Sequence, residues 1–156
     1  MSDKISVSLM QELLQEAYDK IKNDTGGANA NYIPYLANIP SSLFGISVCL
    51  SNGEVVEVGD TNYAFGIESV SKVPTAILVM KQYGAQTLLD KIGADATGLP
   101  FNSIMAILLE KDHPSTPLVN AGAIAACSMV KPTGDPNGKW EDITDFLEAL
   151  CGCLLY

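Results

Sequence analysis

Histidine is nearly absent from this chain of 156 residues: there is one, His113. A Ser-His-Asp triad would therefore have to use His113 as its base. That residue sits in Glu110-Lys111-Asp112-His113-Pro114, which reads as a solvated turn. Cysteine is also scarce. Cys49, Cys127, Cys151 and Cys153 form no C-x-x-C pair, and with one histidine they do not make the four regularly spaced ligands of a zinc site. No metal is expected, and the cysteines read as small buried hydrophobes of a reducing compartment. Positive charge is thin as well: nine Lys and Arg against eighteen Asp and Glu, for a net charge of −9. A scattered basic set in an acidic field argues against nucleic acid and against anionic membrane surfaces. Long hydrophobic runs are missing too. The most apolar stretch lies near Ile104–Leu109, far short of the ~18 residues of a membrane span. The start, Met1-Ser2-Asp3-Lys4-Ile5, lacks the charged-then-apolar pattern of an export signal, so the expected location is the cytoplasm.

What remains is a well-cored globular chain, 47% hydrophobic and 17% charged, of a length suited to one domain. Leu9, Met10, Leu13, Leu14, Ala17, Tyr18 and Ile21 recur at helical spacing, which predicts a helix over residues 8–22 with Ser8 and Gln11 as a capping box. Two β-branched segments, Gly45–Leu50 and Glu54–Val58, flank Ser51-Asn52-Gly53 and predict a hairpin turning on Asn-Gly. Phe65–Ile67 is expected to add a short third strand. Helices are expected over about 70–83, 85–92, 102–110 and 140–150. Val119–Cys127, built of small residues, reads as a further helix that is fully buried. The order is α+β. Two or three strands make a poor sheet for so apolar a domain, which implies an uncovered edge.

The stretch with the most chemistry in it is Glu68-Ser69-Val70-Ser71-Lys72. On a helix, residues three apart share a face with Cβ atoms ~5–6 Å apart, so the lysine amine can reach the serine hydroxyl. A serine needs an adjacent base to become a nucleophile, and a lysine can be that base. A helix N-terminus beneath it adds N–H donors for an oxyanion. Pro74 requires the helix to begin close to Ser69. The plainer reading of S-x-x-K is a capping serine followed by a solvated lysine.

Four blocks together tip that balance. They are Gly27–Ala37 with its Tyr32-Ile33-Pro34, Glu68–Lys72, Gly93–Ser103, and Pro117–Ile124 with its Val119-Asn120-Ala121-Gly122. In this order and spacing the chain resembles the serine-dependent glutaminases from about residue 8 to about residue 150. The resemblance implies a fold akin to the β-lactamases and penicillin-binding proteins, with an antiparallel sheet and a largely helical part. It implies Ser69 as nucleophile, Lys72 as its activator, and Tyr32 and Asn120 as substrate-binding residues. The implied reaction is hydrolysis of L-glutamine to L-glutamate and ammonia through a serine acyl-enzyme, without cofactor, in a homo-oligomer. Tyr32 alone could equally be a core tyrosine beside a proline, and Asn120 a helix cap.

Two residues depart from the family pattern: Glu68, where glutamine is common, and Thr116 before Pro117, where asparagine is common. Length departs further. Family domains continue well past this point, into strands that complete the sheet and into further pocket residues. The expectation is the N-terminal portion of one catalytic domain, with residues 1–67 holding the helix and hairpin and 68–156 the helical part. An alternative is a split product that turns over only with its missing half. A penicillin-recognising acyl transferase would need Ser-x-Asn or Tyr-x-Asn and an uninterrupted Lys-Thr-Gly, whereas Lys131-Pro132-Thr133-Gly134 is broken by proline.

Overall fold

The Asn52-Gly53 turn closes the hairpin as the sequence predicts. Gly53 holds φ at +87°, and β1 (Gly45–Cys49) pairs antiparallel with β2 (Val55–Gly59) in the register Gly45↔Gly59 to Cys49↔Val55. The computed structural model describes residues 5–109, 113–135 and 137–152. Contacts divide the chain into two compact units, residues 1–65 and 66–156.

In the first unit, α1 (Val7–Ile21) packs against the hairpin through Leu14, the one buried residue of the helix, and Val56 is buried from the strand side. Tyr18 stacks on Phe44 with ring centroids 5.3 Å apart. Gly59 (φ +79°) lies under that pair, and a Cβ there would meet the Phe44 carbonyl and the Tyr18 ring. The helix starts one residue before the expected boundary and is capped differently. Ser6, in extended conformation, accepts the Leu9 N–H at 3.2 Å, while Ser8 lies inside the first turn and its hydroxyl pairs with that of Ser6. The expected Ser8–Gln11 capping box is not formed. A short helix, α2 (Pro34–Ala37), opens on proline, and Asn29 Nδ2 donates to the Leu36 and Ile39 carbonyls around it.

The expected third strand is absent. Residues 63–67 are irregular, no described strand pairs with them, and Phe65 is 80% exposed. The sheet among the described residues has two strands. Helices plus an antiparallel hairpin bear out the α+β class.

The second unit is helical. A 3-10 turn (Glu68–Ser71) leads into α3 (Lys72–Tyr83), followed by α4 (Ala85–Lys91), α5 (Ile104–Leu109), α6 (Asn120–Met129) and α7 (Lys139–Cys151). Ala76, Leu78 and Val79 of α3, Leu88 of α4 with Ile92, and Ala126 of α6 with Val130 form one buried cluster, flanked by Ile143 and Phe146 of α7. Gln82 clamps α3 to the segment after α6: it donates to the Lys131 carbonyl at 2.9 Å and accepts the Lys131 N–H at 2.8 Å. The helix α6 is not fully buried. Gly122 and Ala126 face the core, but Ile124 is 70% exposed, because small residues on one side suffice for close packing. At Gly122 the Thr116 carbonyl comes so close that a Cβ would overlap it.

Two further expectations are corrected. Cys49, Cys127 and Cys151 are exposed: Cys49 takes the outward position of its strand, and the other two lie off the core face of their helices. Cys153 and the Glu110–Asp112 part of the expected turn fall outside the described residues. His113 is half-buried rather than fully solvated; its ring lies against Gly93 and its Nδ1 is buried without a partner among the described residues.

Candidate active site

Glu68, immediately before Ser69, has φ +45°, a left-handed conformation that costs a non-glycine residue on the order of 1–3 kcal/mol. Such strain persists where the surroundings hold it, and here the Ser71 hydroxyl donates to the Glu68 carbonyl at 2.7 Å while Thr75 Oγ1 donates to the Ser71 carbonyl at 2.8 Å. Pro74 is the third residue of α3, where its missing N–H removes no helical bond. The effect is to present Ser69 on an exposed 3-10 turn at the mouth of α3, whose α-helical part begins at Lys72 rather than at the expected residue 70.

Lys72, half-buried, points across to the start of α6. Its Nζ donates to Asn120 Oδ1 at 2.7 Å and to the Leu118 carbonyl at 3.4 Å, and lies 5.5 Å from the centre of the Phe101 ring. No carboxylate pairs with it among the described residues. No hydrogen bond joins Lys72 to Ser69 among the described residues.

A lysine ammonium can only donate, so the amide oxygen of Asn120 is the atom turned toward it. Asn120 Nδ2, with its two donors, is left for another partner. Asn120 is the first residue of α6, and the preceding Val119 occupies the capping position without a side-chain bond, so the amide is not used as a cap. Beside it lies a groove of about 200 Å³ lined by Phe101, Ser103, Ile104, Val119, Asn120 and Ile124. The groove is shallow and open, with mainly apolar walls and few polar groups.

Of the four residues singled out by sequence, Lys72 and Asn120 are thus in direct contact, and Ser69 stands on the turn that leads into Lys72. Tyr32 belongs to the first unit, one residue ahead of the α2 cap, and is 74% exposed, so it is not a core tyrosine. Sequence reasoning did not single out Phe101 or the Leu118 carbonyl. Both lie inside the quoted blocks, but an aromatic ring and a backbone oxygen have no spacing signature.

Comparison with known proteins bears on what this arrangement is for. A family model described as Glutaminase matches residues 27–155. The chain is 66% identical over 152 residues to a glutaminase of Bacteroides thetaiotaomicron and 67% identical over 152 residues to one of Parabacteroides distasonis. Each match covers 97% of this chain and 47% of the relative. A solved structure described as probable glutaminase ybaS superposes with a TM-score of 0.88 at 40% identity, covering 92% of this chain and 46% of that one. The chain spans about half the length of the curated relatives it matches.

Proposed function

The chain belongs to the glutaminase family, and on that premise we propose that it carries the nucleophile, base and part of the substrate pocket of an L-glutamine amidohydrolase. The observation that carries the proposal is the 2.7 Å bond from Lys72 to Asn120, which ties the S-x-x-K helix to the Val-Asn-Ala-Gly block in one site. Lys72, as free amine, takes the Ser69 proton while Oγ attacks the carboxamide carbon. The Ser69 N–H donates to the oxyanion. Lys72 returns the proton to the departing nitrogen, ammonia leaves, and an ester joins the glutamyl group to Ser69. Water then gives its hydroxyl to the acyl carbon and its proton, through Lys72, back to the serine.

Asn120 Nδ2 supplies donors to an acceptor on the substrate, which suits the α-carboxylate of glutamine. Tyr32 is assigned a substrate contact by the family resemblance. No cofactor takes part. The same resemblance supports a β-lactamase-like fold, a homo-oligomer and a cytoplasmic location, which sedimentation and cell fractionation would test.

Purified protein of this sequence should release glutamate and ammonia from glutamine, with loss of both on Ser69→Ala. A second reading is a partial enzyme that needs a complementary half. It is favoured by the half-length match to relatives and by the exposure of Ile104, Leu108 and Ile124, at 71%, 69% and 70%. No turnover alone, but recovery on adding the remaining half of the B. thetaiotaomicron relative, would select it. No turnover under either condition, with Ser69 unlabelled by glutamine, would sink both.

A further inference from the structure

The Gly93–Ser103 block plays no part in the reaction just described, yet its Phe101 touches the site twice. The ring lies 5.5 Å from Lys72 Nζ, within the ~6 Å at which an aromatic face attracts a cation. The Phe101 carbonyl accepts the Asn120 N–H at 2.9 Å, one of the first N–H groups of α6, which have no partner inside the helix. Phe101 is 55% exposed, so core packing does not explain where it stands. Its loop is held by its own bonds instead. Ser103 N–H donates to the Pro100 carbonyl at 2.9 Å, Leu99 N–H donates to Thr97 Oγ1 at 3.2 Å, and Gly98 takes φ +69°.

We propose that Phe101 is the positioning residue of the Lys72–Asn120 pair: its ring holds the Lys72 side chain in place and its carbonyl fixes the backbone of Asn120. A lysine on four flexible carbons otherwise has many positions open to its amine. The Phe101 ring, Asn120 Oδ1 and the Leu118 carbonyl restrict it to one. Two hydrogen bonds to oxygens and one contact with a ring face define where the Lys72 Nζ sits. The catalytic consequence of this placement rests on the reading of Ser69 and Lys72 given above; the placement itself does not.

The test uses proton and carbon resonances of the Lys72 ε-methylene and the Asn120 side-chain amide in the 156-residue chain. Ring current should shift the Lys72 ε-protons upfield. Phe101→Leu should abolish that shift and move the Asn120 amide signals, with the methyl signals of Val79, Leu88 and Ile92 unchanged. Phe101→Tyr should restore both. In glutamine hydrolysis, with the complementary half added if it is required, Phe101→Leu should lower kcat about 2- to 5-fold, the range of an exposed cation–π contact acting on the ammonium formed as Lys72 takes the Ser69 proton, with KM less affected. An unshifted Lys72 in the parent chain, or signals that do not respond to Phe101→Leu, would overturn the inference. If the resonances behave as expected and glutamine is never hydrolysed, the placement stands and the proposed reaction falls.

Discussion

The two compact units differ in what holds them. Residues 1–65 depend on local devices: an Asn-Gly turn, a two-strand ladder, a serine cap and one helix whose single buried side chain is Leu14. Two paired strands are marginal in isolation, and a helix laid on them supplies little buried area. Residues 66–156 depend on burial, with Val79, Ile92, Ala126 and Val130 at 0–1% exposure drawn from three stretches of sequence. The residues proposed as catalytic stand on the second kind of scaffold. Lys72 opens the helix that contributes Ala76, Leu78 and Val79 to the core, and Asn120 opens the helix that contributes Ala126. Side chains mounted on helices anchored in this way, the proposed base and binding amide among them, are held more closely than groups on loops.

That contrast is open to direct test. The largest expected effect is chemical: Lys72→Ala should slow acylation of Ser69 by about 10²- to 10⁴-fold, read as glutamate release, while the circular dichroism spectrum stays that of the parent. Activity equal to the parent would remove Lys72 as the base. Ile92→Ala, in the buried cluster, should cost about 2–5 kcal/mol in urea unfolding, with amide protection falling first in residues 66–156. An equal and simultaneous loss in the hairpin amides would show one cooperative body and erase the contrast. In the first unit, Gly59→Ala combines a left-handed backbone with a Cβ that meets the Phe44 carbonyl, and should cost about 1–3 kcal/mol. Smallest is Ser6→Ala, which removes the α1 cap and should cost about 0.5–2 kcal/mol, whereas Ser8→Ala should be nearly neutral. A larger effect at Ser8 would reinstate the capping box that the structure lacks.

How far the sequence could be read follows from the range of each interaction. The hairpin was legible because Asn-Gly and alternating β-branched residues act within a few positions. The start of the S-x-x-K helix was legible because Pro74 admits few registers. Failures came where the outcome depended on distant partners. Phe65–Ile67 has strand-like composition but no neighbour to pair with among the described residues, and no strand forms there. The cysteines read as buried because cysteine usually is, yet the outward register of β1 and the outer faces of two helices expose three of them. His113 read as solvated from its charged neighbours, and a close approach to Gly93 buries its Nδ1.

In the candidate site the division is similar. Ser69, Lys72, Tyr32 and Asn120 could be named from short motifs, because the proposed nucleophile and base lie one turn apart and each motif is contiguous. Which of them meet could not be, since Lys72 and Asn120 are 48 positions apart and their bond exists only once α3 and α6 pack on a common core. The sequence by itself determined the local pieces: the turn, the helix start, the family motifs and the residue types that the proposed hydrolysis requires. Tertiary structure alone decided the direction of the Lys72 amine, the orientation of the Asn120 amide and the placing of Phe101 over the lysine. These are long-range contacts, settled by packing and by where unpaired donors find acceptors, and no local spacing encodes them.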